Sequence, residues 1–420
     1  MLAARGGSMS NGFFSLAPTT TVGVVPPSPL CGLCRLDRGC KSPKIPVWGQ
    51  GRKKILVVGE APGQTEDERG IPFCGQSGQF LKNHLRPLGI DLGTDCWVTN
   101  ALICRPPGNK IEDKNAVSYC RPNVVNAVTE LSPERIVLLG NKAVESVMAW
   151  VAPGVDLDPH AKWANHPVPS RRLNAWVASC WHPSFVMRTD YGVSERENEV
   201  RTMIWGRQLM TAFVHGGRPW EDNTDPYKGR CGYAVDYNDA LDGLSEMLAC
   251  RKGRPIAFDY ECDRLKPDHP DSRIICVSVS DGRHAFAFPW NSHRVKRAWR
   301  EFLLSDVPKI GFNVKYEERW SRAVVGCGVN NWVWCGMTAA HCLDSFKGVK
   351  SLDFQALILL GVSKESHDLK PYMVSDGPNE PNRLAEAPLE RLLEYCSRDS
   401  MLEWHVARLQ RKLLTGGSRG

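Results

Sequence analysis

Residues 53–63 read KKILVVGEAPG: two lysines, a four-residue apolar run, and a Gly/Pro turn carrying the carboxylate of Glu60. An unbroken apolar run of this kind suits a strand buried on both faces, as in a parallel sheet. Residues 134–150, ERIVLLGNKAVESVMAW, read as strand, Gly turn and helix, and residues 176–184, WVASCWHPS, as a strand ending in a loop. Strands alternating with helices imply a parallel α/β sheet, whose ligand loops gather at the carboxyl ends of its strands. Glu60, Asn100 and His182 all fall at such ends, so the sequence predicts one shared site for three polar side chains far apart in the chain.

The chain has 420 residues, which predicts two domains. Its formal charge of +7 permits nucleic-acid binding without arguing for it. Sixteen cysteines would suggest a disulfide framework in a short secreted chain, but this one is long. The apolar stretch Phe13 to Leu30 is broken by Pro18, Pro26, Pro27 and Pro29, unlike a signal peptide, and no run is long enough to span a membrane. The expectation is a cytoplasmic protein without membrane partners, most cysteines packing in cores and a few acting as ligands. Residues 1–30 read as a disordered leader, 31–215 as a first domain, 216–231 as a linker, 232–414 as a second domain and 415–420 as a frayed tail.

Within the first domain the pieces Cys31-x2-Cys34, GEAPG, IPFCGQSG (71–78), TNALICRPPGN (99–109), Cys120 and WHPS follow in order. Four thiols, Cys31, Cys34, Cys104 and Cys120, are a full ligand set for a structural zinc or an iron–sulfur cluster, and spacing alone does not choose between them. Singly, Phe73 fits a core and Asn100 a turn. Together and in this order they resemble the family 4 uracil-DNA glycosylases, the iron–sulfur branch of that superfamily. The resemblance implies a [4Fe–4S] cluster on the four cysteines and a uracil pocket formed by Glu60, Ala61, Phe73, Asn100 and His182. It implies that Glu60 positions water, Asn100 reads the base edge, Phe73 stacks on an extruded base and His182 donates to uracil O2. Cys40, six residues after Cys34, is a competing cluster ligand, and Cys74 stands where the family usually carries an apolar residue. Glu60 in the turn, and no histidine directly behind Arg171-Arg172, favour hydrolysis over covalent capture.

The second half opens with three short strands, PIAFDYE, RIICVSVSDG and HAFAFPW, followed by mainly helical sequence to Leu414. FDYEC puts Asp259 and Glu261 two apart on a strand, hence on one face, and Tyr395-x3-Asp399 has one-turn helical spacing. With IGFNVKYEERW between them, these motifs resemble the DnaQ-like 3′–5′ exonuclease domain of family A DNA polymerases, a ribonuclease H-like mixed sheet. The resemblance implies two Mg2+ or Mn2+ ions on Asp259, Glu261, Glu317 and Asp399, with Tyr395 orienting the attacking water. Glu317 departs from the family's Asp by one methylene, and Cys335 stands where an acidic residue is common.

The expected architecture is therefore α/β in two domains, a parallel-sheet glycosylase-like α/β/α unit and a mixed-sheet exonuclease-like unit. The layout resembles the N-terminal part of some bacteriophage polymerases. It implies uracil-containing DNA and single-stranded 3′ ends as partners, a separately encoded family A polymerase, and host cytoplasm if phage-encoded. Two other readings stay open: a uracil-reading DNA-binding module that does not cut, and a polymerase accessory subunit with one or both sites degenerate.

Overall fold

The computed structural model describes residues 31–158, 160–188, 194–214, 216–251, 253–364, 368–377 and 379–416. The expected leader, 1–30, and residues 417–420 of the expected tail lie outside the described residues.

The first sheet contains β1 (Ile55–Gly59), β2 (Cys96–Asn100), β3 (Arg135–Leu139), β4 (Val168–Ser170) and β5 (Ala175–Cys180) in the order β2-β1-β3-β5-β4. All its pairings are parallel except β4 with β5. Every residue of β1 and β3 is buried, as the unbroken apolar runs predict. Alternate side chains serve opposite faces. Leu56, Val58, Ile136 and Leu138 pack with Val124 of α3 (Ala116–Leu131) and Val144 of α4 (Asn141–Val151). Ile55, Val57, Val137 and Leu139 pack with Leu81 of α2 (Gln76–Leu85) and Trp205 of α6 (Glu195–Phe213). The short helices α1 (Gln64–Arg69) and α5 (Pro183–Met187) stand at the carboxyl ends of β1 and β5.

The second sheet runs β11-β10-β7-β8-β9-β6 and is mixed. Its strands are β6 (Cys231–Tyr233), β7 (Ile256–Cys262), β8 (Ile274–Ser280), β9 (Ala285–Pro289), β10 (Lys309–Gly311) and β11 (Trp332–Cys335). Strands β7, β8 and β9 form an antiparallel meander, while β10, β11 and β6 add in parallel. Phe258 and Tyr260 pack beneath α7 (Tyr237–Cys250) and α8 (His293–Leu304), leaving Asp259 and Glu261 to face the long α13 (Leu389–Leu414). Between these come α9 (Val314–Trp320), α10 (Gly336–Leu343), α11 (Leu352–Leu360) and α12 (Lys370–Met373). The sequence did not show β10 and β11. They are three and four residues long, and β10 begins with a fully buried lysine whose ammonium donates to the carbonyls of Ser305 and Val307.

One hydrophobic cluster spans both domains. In α11 every residue except Asp353 is buried, as expected of a helix apolar all round. It packs with Trp163 and Val168 of the first domain and with Met401, Leu402 and Val406 of α13. At its end Gly361 adopts φ +70, and a Cβ there would collide with the Pro169 carbonyl oxygen. Arg171 donates to the carbonyls of both Leu360 and Gly361, and His166 Nε2 lies 2.9 Å from Asp344 Oδ2. The stretch expected to be a linker is also seated: Tyr227 is buried, and Trp220 Nε1 donates to Pro169 O at 2.7 Å.

Candidate functional site

Glu60 follows β1 directly, Asn100 is the last residue of β2 and His182 caps α5 just after β5. With Ala61, Phe73, Glu66, Ser184 and Arg188 they line a cavity of about 300 Å³. All five residues expected to contact the base therefore share one pocket. Its floor requires Gly59, where a Cβ would meet Asn100 Oδ1 and come within 2.6 Å of the Phe73 ring. Phe73 itself holds φ +54, a left-handed conformation that non-glycine residues rarely adopt and that often marks a functional position.

Glu60 Oε1 accepts the Lys142 backbone N–H at 3.1 Å, at the start of α4. The imidazole of His182 is fixed by α5. The Ser184 N–H donates to Nδ1 at 3.2 Å and the Ser184 hydroxyl lies 2.7 Å from it. A donor at Nδ1 assigns the proton to Nε2 in the neutral ring. Burial holds His182 below its ordinary pKa against the opposing charge of Glu60, with Arg188 adding to the depression. The side chain is thus kept as a neutral donor.

Sequence reasoning missed Glu66. Its two oxygens accept the N–H groups of Gly63, at 3.1 Å, and Gly75, at 2.9 Å, so one carboxylate joins the GEAPG turn to the start of α2. The signal available was a Glu three residues into a helix after Gly63, a capping-box position. Arg188, placed by a loop just beyond α5, carried no motif at all.

Cys31, Cys34, Cys104 and Cys120 line one small pocket together with Leu102 and Asn123. Burial pushes the Cys104 thiol up to about 12 and the Cys120 thiol to about 11, so a cation is needed to hold them as thiolates. The Lys44 N–H donates to Cys104 Sγ at 3.2 Å and Asn123 Nδ2 to Cys120 Sγ at 3.5 Å, hydrogen bonds suited to thiolates. Cys40 is not in this pocket's lining; its thiol lies against Cys104. Cys74 Sγ donates to Thr65 O. The pocket backs directly onto the first site, because Leu102 donates to the Glu60 carbonyl and Ala61 packs with Leu102 and Cys120.

In the second domain Asp259 and Glu261 of β7, Glu317 of α9, and Tyr395 and Asp399 of α13 come together. Two sets of three ligand atoms lie within 4.8 Å of one another: Asp259, Glu261 and Cys396, and Asp259, Glu317 and Glu403. Glu403 was not foreseen. Burial, reinforced by the neighbouring Asp399 charge, pushes Asp259 up to about 7, and burial raises Asp399 to about 6 against the pull of Lys364. Lys364 forms an ion pair with Asp399 and lies over the Tyr395 ring at 4.7 Å. Cys335 donates its thiol to Phe312 O and borders Glu317. Among the described residues no helix is long and apolar enough to cross a membrane.

Residues 46–205 match the sequence model of the uracil DNA glycosylase superfamily. The type-4 uracil-DNA glycosylase of Pyrobaculum aerophilum is 37% identical over 118 residues, 28% of this chain and 59% of that protein. The type-4 uracil-DNA glycosylase of Archaeoglobus fulgidus is 35% identical over 185 residues, 44% of this chain and 92% of that protein. The DNA polymerase of Bacillus phage SP01 is 21% identical over 334 residues, 71% of this chain but only 34% of the polymerase. The chain thus spans nearly all of one archaeal relative, little more than half of the other and a third of the polymerase. Through its first domain, the chain belongs to the type-4 uracil-DNA glycosylase family.

Proposed function

We propose that the first domain excises uracil from DNA by hydrolysing the N-glycosidic bond, and that the second is a divalent-ion-dependent 3′–5′ exonuclease. The observation that carries the first reading is the meeting of Glu60, Phe73, Asn100 and a neutral His182 in one cavity at the strand ends. An extruded base enters this cavity and stacks on Phe73. The Asn100 amide, with one donor and one acceptor, matches uracil O4 and N3–H and mismatches cytosine. As the glycosidic bond breaks, negative charge grows on the base, and the Nε2–H of His182 donates to O2. Glu60, held at one oxygen by Lys142, orients a water toward the sugar carbon with the other.

Cys31, Cys34, Cys104 and Cys120 would hold a [4Fe–4S] cluster, a reading supported by the four thiols lining one pocket and by the type-4 relatives. When bound it supplies a rigid cross-link behind the Glu60 turn. In the second domain Asp259, Glu261, Glu317 and Asp399 would serve two Mg2+ or Mn2+ ions beside Tyr395, which activate water and stabilise the leaving oxygen. The match to a phage polymerase over most of the chain supports action beside a family A polymerase in the cytoplasm of a host cell.

Incubation of the full chain with a uracil-containing oligonucleotide tests the reading. Alkali-labile sites should form with EDTA present, and shortening from the 3′ end should require Mg2+ or Mn2+. Binding without any abasic product would replace excision with a non-cutting uracil reader.

A further inference from the structure

We propose that Glu403 is a further metal ligand of the second domain. The inference rests on the reading of this domain as a divalent-ion nuclease and adds a fifth carboxylate to its ligand set.

Glu403 stands one helical turn beyond Asp399 on α13, so both carboxylates emerge on the same side of the helix. The carboxylate of Glu403 meets those of Asp259 and Glu317, with the three ligand atoms all within 4.8 Å. Glu317 is 2% exposed and Glu403 3%, and Oε2 of each has no hydrogen-bond partner. Two buried carboxylates, each with an open oxygen turned toward a third acid, are costly unless a cation lies between them.

Asp259 is common to both three-ligand sets and would bridge the two positions. Asp399 pairs with the Lys364 ammonium through one oxygen, while its Oδ1 is buried without a partner like the open oxygens of Glu317 and Glu403.

Titration of the full-length chain with Mn2+, free ion being followed by electron paramagnetic resonance, tests the assignment without any cleavage readout. Glu403→Gln and Glu403→Asp should each weaken the tighter Mn2+ site by about tenfold or more, the scale of a lost or displaced ligand. Asp259→Asn should lose both sites. Wild-type affinity in both Glu403 variants would overturn the assignment and leave the nuclease reading standing. A wild-type chain that binds no Mn2+ would overturn both. Thermal melting without metal guards the comparison: Glu403→Gln should melt no lower than wild type, because it removes one of five crowded acids.

Discussion

Replacement of Glu66 by alanine should loosen the uracil pocket without touching any group that contacts the base. Its carboxylate bonds to Gly63 N–H and Gly75 N–H are 3.1 and 2.9 Å long and tie those two walls together. Hydrogen bonds to a charged group contribute ~1.5–3 kcal/mol each, and half-burial here argues for the lower end, so alanine should cost about 2–3 kcal/mol in all. Some of this appears as lost stability, because the α2 N-terminus also loses a favourable negative charge. If about half falls on the closed pocket, kcat/KM for uracil release drops about tenfold, 1.4 kcal/mol being one factor of ten. Glu66→Gln should be no better than Glu66→Ala, since its amide group must face one N–H with another. The assay is single-turnover uracil release alongside a thermal melt. A Glu66→Ala chain with both quantities unchanged would refute the argument that one carboxylate sets the pocket width.

Because burial holds His182 neutral, its pKa lies below the ordinary ~6.5. The stability tied to the neutral ring is present above that value and lost as pH falls through the depressed one, and uracil release should likewise stay level down to about pH 6.5. A pH–rate profile whose acid limb, absent in His182→Ala, has its midpoint above 6.5 would contradict this. Cys104→Ser should bleach the brown absorption expected of an iron–sulfur protein purified without air, whereas Cys40→Ser, outside the four-thiol pocket, should leave it; zinc in stoichiometric amount in a colourless wild type would decide against the cluster. Gly361→Ala must adopt a left-handed φ and meets the Pro169 carbonyl, so urea unfolding should show a loss of at least about 2 kcal/mol.

What the sequence disclosed follows from what each signal encodes. The apolar run before Glu60 gave strand β1 and its position in a parallel sheet, because burial on both faces leaves a readable mark. The placement of Glu60, Asn100 and His182 at strand ends was legible for the same reason. Glu66, Lys364 and Glu403 were not, since each acts through partners remote in the chain and no periodicity announces them. Strands β10 and β11 were hidden by their brevity and by a buried lysine at the head of one of them. The stretch 216–231 looked like a free linker from its glycines, prolines and charges, yet Trp220 and Tyr227 seat it against both halves.

The burial of α11 on every side has a consequence for how this chain lives and dies. Cutting the chain between its two chemistries would bare a greasy cylinder on one piece and its socket on the other, so separate halves should precipitate where the whole stays dispersed. Melting should then pass through a single cooperative step, and damage near one site should shorten the lifetime of the other. A cell that clears misfolded protein would see the base-removing and strand-trimming parts as one object, kept or discarded together.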